Sequence, residues 1–204
     1  MMTDKQVAVT ERITPYRGYM RMDSYRLRHS DFNGGWSIEL SREVVERGHA
    51  VAVLPYDPVS DQLVLIEQFR IGGYSAPETS PWQIECVAGM IEPHQLVEDA
   101  AHRETHEETG LRIFDLEPIH TYLSSPGCTS ETIKMFCGQV DSTGADGIHG
   151  LADEGEYIRV FKVPVEEAFS WLDKGRIENG MTIIALQWLK LHLDQMRSKW
   201  RVGG

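Results

Sequence analysis

The 204-residue chain has the composition of an ordinary globular protein, because 41% of its residues are hydrophobic and 25% are charged. Its length suits one domain with an extension. A formal net charge of −11 argues against a nucleic-acid partner, whose phosphates would require a basic surface. No segment approaches about 18 uninterrupted apolar residues, and the stretch MMTDKQVAVTER lacks an apolar signal core, so we expect no membrane partner. Three cysteines without a CxxC pair favour a cytoplasmic location.

Residues 1–48 are polar and alternate in the manner of strands. The runs 19–27 and 36–40 flank the turn sequence SDFNGG at 30–35, and this pattern predicts a β-hairpin. Neither run is apolar enough to bury both of its faces. We therefore expect 1–48 to form a β-strand extension that packs on another surface, and 49–204 to form the main domain.

The main domain combines strand-like and helix-like segments. Apolar and alternating runs predict strands at 49–55, 63–70, 82–88, 119–123, 132–140 and 157–163. Helical spacing predicts a helix that ends at Gly110, a short helix between Pro164 and Gly175, and a final helix from about 181 to 200. Loops are expected at 71–81 and 141–156. This order of elements favours an α+β domain with a mixed sheet.

The stretch 89–111, GMIEPHQLVEDAAHRETHEETGL, carries the strongest functional signal. At about 100° per residue, Glu107 and Glu108 lie about 60° and 40° to either side of Glu104, so three carboxylates share one helical stripe. Like charges at this spacing destabilise an isolated helix by roughly 0.2–0.5 kcal/mol per pair. Hard divalent cations take oxygen ligands and combine carboxylates with substrate phosphates. The stripe therefore predicts the protein's half of a Mg²⁺–phosphate site.

Two plainer interpretations of this helix compete with a magnesium site. Most charge runs are solvated helix faces, and RETHEE taken alone fits that description. His102 and His106 are four residues apart and suggest a zinc helix. However, HRETH is not the H-E-x-x-H motif, and both histidines point away from the carboxylate stripe.

Hydrolysis of a pyrophosphate requires neutralised phosphate charge and an activated water molecule. The turn at Ala88 and Gly89 offers a backbone carbonyl to a metal and allows close approach to a phosphate. Glu154 and Glu156 lie two residues apart in the long loop, so they tend to project to one side as candidate bases; the alternative is ordinary solvated loop acids. Arg70 ends an apolar strand at a glycine-rich loop, and its planar guanidinium suits phosphate. The alternative for Arg70 is surface solvation.

The stretch 89–111 closely resembles the Nudix box, which is a glycine, a glutamate six positions on, and then Arg-Glu-apolar-x-Glu-Glu-x-Gly-apolar. Seven residues stand at the family's spacing: Gly89, Arg103, Glu104, Glu107, Glu108, Gly110 and Leu111. Gln95 replaces the glutamate and Thr105 replaces the aliphatic residue. From residue 16 to residue 200 the chain resembles the ADP-ribose pyrophosphatase branch of that family. The segments that carry this resemblance are SREVVERGHAVAVLPYDP, LVLIEQFRIGGY, ECVAGMIE, SSPGCTSE, GIHGLADEGE and IALQWL.

The resemblance implies a Nudix-type α/β/α sandwich whose N-terminal extension is exchanged across a homodimer. It implies Mg²⁺-dependent hydrolysis of ADP-ribose, a small nucleoside diphosphate sugar, to AMP and ribose 5-phosphate. It implies two or three Mg²⁺ ions, for which Mn²⁺ can substitute. The implied metal ligands are the Ala88 carbonyl, Glu104, Glu108 and Glu156. Glu154 would be the base or water-orienting catalytic residue. From the stripe itself, we expect Glu104 and Glu108 to point inward, with Glu107 as an assisting catalytic residue.

The resemblance also implies a set of substrate contacts, with Tyr19 of the extension stacking on adenine. The other implied contacts are Arg42, Glu43, Arg47, Arg70, Met90, Ser125 and Gly127. Gly89, Gln95, Arg103 and Gly110 would be structural, with residue 95 holding the box arginine. A neutral glutamine keeps that hydrogen bond but loses charge assistance.

Two other functions stay open. The first is a pyrophosphatase for another nucleoside diphosphate sugar such as GDP-mannose, which the spacing alone does not exclude. The second is a non-hydrolysing protein that senses ADP-ribose. Lost metal ligands or a DNA-binding module would favour the sensor, but Glu104, Glu107, Glu108 and Glu154 are all present and the chain shows no such module.

Overall fold

A computed structural model describes residues 5–151 and 155–201. The chain forms two compact units. One consists of Met1–His49 and Tyr122–Thr132, and the other of Ala50–Thr121 and Ile133–Gly204. Across the described ranges, every helix is too short or too polar to span a bilayer.

The first unit is built on a three-stranded antiparallel sheet of β1 (Val7–Arg17), β2 (Arg21–His29) and β3 (Leu40–Glu46), in that order. The predicted second strand at 36–40 is wrong, and β1 was not predicted. Asp31 closes the turn by accepting the N–H groups of Asn33 and Gly35 at 2.8 Å. Trp36 then forms only an isolated bridge with Ser30, so that regular pairing begins at Leu40.

Asp23 holds this polar sheet together. Its side chain is fully buried, and it accepts hydrogen bonds from Arg12 at 2.6 Å, Thr14 at 2.7 Å and Arg21 at 3.2 Å. The bonds from Arg12 and Thr14 lower the pKa of Asp23 to about 2. All of β1 is exposed, so the sheet relies on charge pairing rather than on an apolar core.

The segment 122–132 belongs to the same unit through its contacts with β3. Val45 forms a bridge with Thr129 and donates its N–H to the Cys128 carbonyl at 2.8 Å. The Ser130 hydroxyl donates to Glu46 at 2.5 Å. These bonds fix the C-terminal side of the turn that contains the predicted substrate residues Ser125 and Gly127.

The second unit is built on a mixed sheet. Its strands are β4 (Ala50–Asp57), β5 (Gln62–Phe69), β6 (Trp82–Glu85), β7 (Val87–Met90), β8 (Asp115–Leu123), β9 (Thr132–Gln139), β10 (Gly147–His149) and β11 (Ile158–Pro164). The central order is β10-β11-β5-β4-β9-β8, with β6 on β5 and β7 on β4. Strands β4 and β9 are parallel, and the other pairs with a recorded register are antiparallel. The helices are α1 (Ile71–Ser75), α2 (Val97–Thr109), α3 (Val165–Asp173) and α4 (Gly180–Arg201).

Three predicted elements of this unit differ from the structure. The predicted strand 82–88 is two strands, because the chain changes partner at Cys86 from β5 to β4. The predicted loop 71–81 begins with the short helix α1, and the predicted loop 141–156 contains β10. Short elements of three to five residues carry too little periodicity to be detected in a sequence.

Helices cover both faces of the larger sheet. Val51 and Val53 of β4 lie in a core cluster with Ala100 and Ala101 of α2. Alternate residues of a strand point to opposite faces, so Leu54 points the other way. On that side α3 and α4 contact the sheet. This arrangement confirms the predicted α/β/α sandwich and places the glutamate-bearing helix on one face.

A buried carboxylate joins the β4–β5 turn to the segment after β9. Asp57 accepts hydrogen bonds from the hydroxyl and N–H groups of both Ser60 and Ser142, at 2.7–3.1 Å, and from the Val59 N–H at 2.9 Å. Burial alone would raise the pKa of Asp57, but these hydrogen bonds outweigh it and lower the pKa from 3.8 to about 2. The ionised carboxylate therefore stabilises the fold.

We expect Asp57→Asn to lower the free energy of unfolding by roughly 1–3 kcal/mol at neutral pH, because the charge-assisted hydrogen bonds are weakened. The pKa of Asp57 is lower in the folded protein than in the unfolded chain. Its contribution to the free energy of unfolding is therefore complete above about pH 3.8 and is lost as the pH falls towards about 2. Urea titrations of both proteins at several pH values measure this. Asp146→Asn, at an exposed position, is the control. A constant difference between native and variant down to pH 2 would contradict the assignment.

Candidate active site

Helix α2 presents the glutamate stripe, and its ends are well defined. Glu98 and Asp99 lie in the first turn, where carboxylates favour the partial positive charge of the helix N-terminus. Gly110 ends the helix with a left-handed φ of 71° and donates its N–H to the His106 carbonyl at 2.8 Å. The stripe is therefore held at a fixed position between these two ends.

Gly89 of β7 allows the helix to approach the sheet at this point. A Cβ atom built on Gly89 would overlap the carboxylate of Glu104. The Glu104 side chain, 12% exposed, therefore lies directly over the strand backbone. Any larger residue at position 89 would have to displace this carboxylate, so the glycine and the glutamate form one structural feature.

Glu108 is the most deeply buried member of the stripe, at 5% exposure. Its Oε2 accepts the N–H of Ala88 at 3.2 Å. Burial raises the pKa of Glu108 well above its ordinary value, and the charges of Glu104 and Glu156 act in the same direction. The Ala88 N–H and the Arg70 charge act against this rise. A buried acid with a raised pKa marks a functional-site candidate.

Glu104 has a similar but weaker electrostatic environment. Burial raises the pKa of its carboxyl, an effect that the neighbouring Arg103 opposes and that Glu107 and Glu156 reinforce. Arg103 lies 2.8 Å from Glu104 and 2.9 Å from Glu107, so its guanidinium supplies positive charge to the stripe. The structure thus orders the three glutamates by burial, with Glu108 deepest and Glu107 most exposed.

The donor set of Glu104 and Glu108 fits a divalent cation. Both are oxygen donors, both are largely removed from water, and both have a raised pKa, so added positive charge would stabilise their ionised forms. Among residues 5–151 and 155–201, no three His, Cys, Asp or Glu side chains already converge on one point. His102 and His106 are exposed.

Glu156 lies on the approach to β11, where its backbone N–H donates to the Leu151 carbonyl at 3.2 Å. Its charge contributes to the raised pKa values of Glu104 and Glu108. Glu154, the predicted base, lies outside the described residues.

Arg70 follows β5 and pairs with Glu85 of β6 through Nη2 and Oε2 at 2.7 Å. Burial would lower the pKa of Arg70, but Glu85 and the more distant Glu108 and Glu156 raise it. The sequence predicted a substrate contact for Arg70 but did not reveal its partner Glu85. The available signal was a glutamate inside the largely apolar run WQIECV, because a buried charge in a strand requires a partner.

Residues 46–186 match the NUDIX domain. The chain belongs to the Nudix family. An ADP-ribose pyrophosphatase of Escherichia coli is 51% identical over 194 residues, which cover 95% of this chain and 92% of that protein. A GDP-mannose pyrophosphatase of Yersinia enterocolitica is 30% identical over 178 residues, covering 86% and 91%. A solved structure described as an ADP compounds hydrolase has a TM-score of 0.68 at 22% identity, covers 91% of this chain and 95% of that one, and shows a shared fold.

The Nudix box of this chain departs from the family pattern at Gln95. Its Oε1 accepts a hydrogen bond from the Glu92 N–H at 3.1 Å and a longer one, at 3.4 Å, from Nη2 of Arg103. Arg103 donates more closely, at 2.9 Å, to the Met90 carbonyl. Its Nε is buried without a hydrogen-bond partner among the described residues. In the described part of the chain, the buried hydroxyl of Thr105, the second departure, also lacks one.

Met90 ends β7 in the second unit, and the remaining predicted substrate residues of this Nudix protein belong to the first unit. Tyr19 lies between β1 and β2 and is 92% exposed. Arg42 and Glu43 are exposed on β3, opposite Tyr25 and Ser24. Arg47 forms an ion pair within the unit, at 3.4 Å from Glu131. The Ser125 carbonyl accepts the N–H groups of residues 128 and 129 at 3.0 Å. Their roles in binding stay predictions.

We expect Gln95→Glu to raise the melting temperature slightly, because a carboxylate adds charge assistance of about 1 kcal/mol to the Arg103 contact. The kcat value should change by less than about tenfold, since tenfold requires about 1.4 kcal/mol in the barrier. Thermal denaturation and steady-state kinetics measure both quantities. Gln187→Glu, at an exposed position of α4, controls for the added charge. A nearly inert native protein that Gln95→Glu activates a hundredfold would refute a purely structural role for residue 95.

Proposed function

We propose that this Nudix protein hydrolyses the pyrophosphate bond of ADP-ribose, giving AMP and ribose 5-phosphate. The observation that carries the proposal is the pair of buried, charge-destabilised carboxylates, Glu104 and Glu108, packed against the Gly89 turn. The choice of substrate is supported by 51% identity to a protein named ADP-ribose pyrophosphatase across 95% of this chain. The more distant relative named for GDP-mannose supports that sugar less.

A divalent metal accompanies this activity in Nudix hydrolases, and we propose Mg²⁺, in two or three ions, with Mn²⁺ able to substitute. When bound, Mg²⁺ would neutralise phosphate charge and lower the pKa of a water molecule. Glu104, Glu108 and Glu156 would hold it together with the Ala88 carbonyl. Ala88 also donates its N–H to Glu108, so this strand residue fixes one of the proposed carboxylate ligands.

The protein's own groups would then position the substrate. Arg70, on which the charges of Glu108 and Glu156 act, offers a guanidinium whose planar fork suits a diphosphate. We propose that Met90 and the Ser125–Gly127 turn line the site, and that Arg42, Glu43 and Arg47 contact the substrate. Tyr19 would stack on adenine, a role that suits its exposed ring.

A substrate panel tests the function. The native protein with Mg²⁺ should cleave ADP-ribose with a higher kcat/KM than GDP-mannose, UDP-glucose or ADP-glucose, measured as phosphomonoester formed. Excess chelator should abolish cleavage, and Glu104→Gln or Glu108→Gln should remove most of it. Glu98→Gln, at an exposed position of the same helix, is the matched control. Preference for GDP-mannose would replace the substrate, tight ADP-ribose binding without cleavage would indicate a sensor, and full activity in chelator would refute the assignment.

We further propose that Glu154 is the base or water-orienting residue, and that Glu107 assists Glu104 and Glu108. Glu154→Gln should lower kcat by roughly 10²–10⁴-fold, the usual range for a general base, and should leave ADP-ribose and Mn²⁺ affinities nearly unchanged. Kinetics and calorimetry separate the two effects. Asp153→Asn, the neighbouring acid, is the control. Near-native kcat in Glu154→Gln combined with loss in Glu107→Gln or Glu156→Gln would reassign the base.

We propose that the protein acts as a cytoplasmic homodimer that exchanges residues 1–48. The fully exposed strand β1, which carries Val7, Val9 and Ile13 on its exposed surface, supports this proposal. Sedimentation velocity should give a dimer for the full chain. A chain beginning at residue 49 should lose both dimerisation and hydrolysis, whereas Val59→Ser, at another exposed apolar position, should lose neither. A truncated monomer with full turnover would refute exchange of the extension.

A further inference from the structure

We infer that Glu85 is a positioning residue that acts through Arg70 and orients its guanidinium for the substrate's diphosphate. The inference rests on the proposed function for the identity of the reaction. It concerns a buried group that neither the glutamate stripe nor the family box includes. Glu85 is 1% exposed at the end of β6, and a lone carboxylate so deeply buried would carry a large desolvation penalty.

Arg70 offsets that penalty with a fork of bonds. Its Nη2 donates to Glu85 Oε2 at 2.7 Å, and its Nε lies 3.0 Å from Oε2 and 3.2 Å from Oε1. Nη1 makes no hydrogen bond to any residue in 5–151 or 155–201, and the Arg70 side chain is 40% exposed. One edge of the guanidinium is therefore fixed, and the other can receive a ligand.

Glu85 is itself held by two further donors. Gln68 Nε2 donates to its Oε2 at 3.2 Å and Asn179 Nδ2 donates to its Oε1 at 2.8 Å. Asn179 is fixed in turn, because its Oδ1 accepts both the N–H and the hydroxyl of Thr182 at 3.0 Å. Thr182 Oγ1 also accepts the Cys86 N–H at 2.8 Å, which closes the network back onto the strand. Gln68 of β5 and Asn179, which directly precedes α4, thus help to set the direction of the Glu85 carboxylate.

The position of Arg70 explains why it requires such an anchor. The charges of Glu108 and Glu156 act on Arg70, and the charge of Arg70 acts on Glu108. A guanidinium on a long flexible stem would otherwise pair with these acids, which are proposed to bind metal. Glu85 instead provides a bidentate partner for the Nε and Nη2 groups. It therefore keeps Arg70 close to the cluster without letting it occupy the carboxylates.

A double-mutant cycle tests this role. Glu85→Gln, Arg70→Ala and the double variant are compared for kcat, KM and melting temperature. Glu85→Gln should lower kcat/KM by about tenfold or more in the native background, and by less than about twofold in the Arg70→Ala background. Glu67→Gln is the matched control, because Glu67 lies on the adjacent strand β5 and pairs with Arg159 at the surface. It should leave kcat/KM unchanged in both backgrounds.

A second, milder variant keeps the test interpretable if Glu85→Gln misfolds. Gln68→Met removes one donor to Glu85 while retaining the Glu85–Arg70 pair, and it should lower kcat/KM less than Glu85→Gln does, again only when Arg70 is present. Equal losses in both Arg70 backgrounds, or no loss in either, would overturn the inference and leave Glu85 as a stabilising ion pair.

The test also separates this inference from the proposed substrate. Each variant is assayed on ADP-ribose and on GDP-mannose, and its affinity for ADP is measured by calorimetry. Cleavage of GDP-mannose alone would refute the proposed substrate. The double-mutant cycle would then be measured with GDP-mannose, because both substrates contain a diphosphate. If neither sugar is cleaved, the same dependence on Arg70 should appear in the affinity for ADP. Its absence there would overturn the role of Glu85.

Discussion

Burial of negative charge between α2 and β7 is the constraint on which the rest of the site depends. The helix lies so close to the strand that the Glu104 carboxylate fills the space of a missing Cβ at Gly89. Glu108, one turn further on, is buried against the Ala88 N–H. Burial disfavours the ionised form of both groups, so their pKa values rise. The fold holds these acids where water solvates them poorly, and a phosphate-bound cation would restore the lost stabilisation of their charge.

Two of the buried glutamates, Glu85 and Glu108, lie in different environments. Glu85 is surrounded by donors from Gln68, Arg70 and Asn179, and its charge is matched inside the protein. Glu108 accepts one backbone N–H, and nearby acids increase the unfavourable charge. A matched carboxylate stabilises a local arrangement, whereas an unmatched one is available to a ligand. Arg70 connects the two, because it is bound by the first and influences the second.

The sequence predicted those parts of the fold and site that depend on periodicity and long motifs. The core strands, the α2 helix with its stop at Gly110 and the final helix were all visible as repeating patterns. Strand β1 was missed because its apolar residues are few and exposed, so no buried face marks it. The division of 82–88 into two strands depends on a change of pairing partner at Cys86, which no local pattern records. The Glu85 network joins residues nearly a hundred positions apart, so spacing within one segment cannot reveal it.

The departure at Gln95 leaves the box arginine, Arg103, with a long contact at this position. Arg103 keeps its place through the Met90 carbonyl and the two acids Glu104 and Glu107, although its contact with Gln95 is long and its Nε lacks a partner in the described chain. A neutral residue at 95 leaves more of the arginine's charge for the stripe, since Arg103 opposes the raised pKa of Glu104. The same exchange removes a charged anchor from the loop between β7 and α2. The residue at position 95 thus affects how strongly Arg103 is bound to the loop and how strongly it interacts with Glu104 and Glu107. With glutamine at this position, the contacts of Arg103 with the two carboxylates are closer than its contact with residue 95.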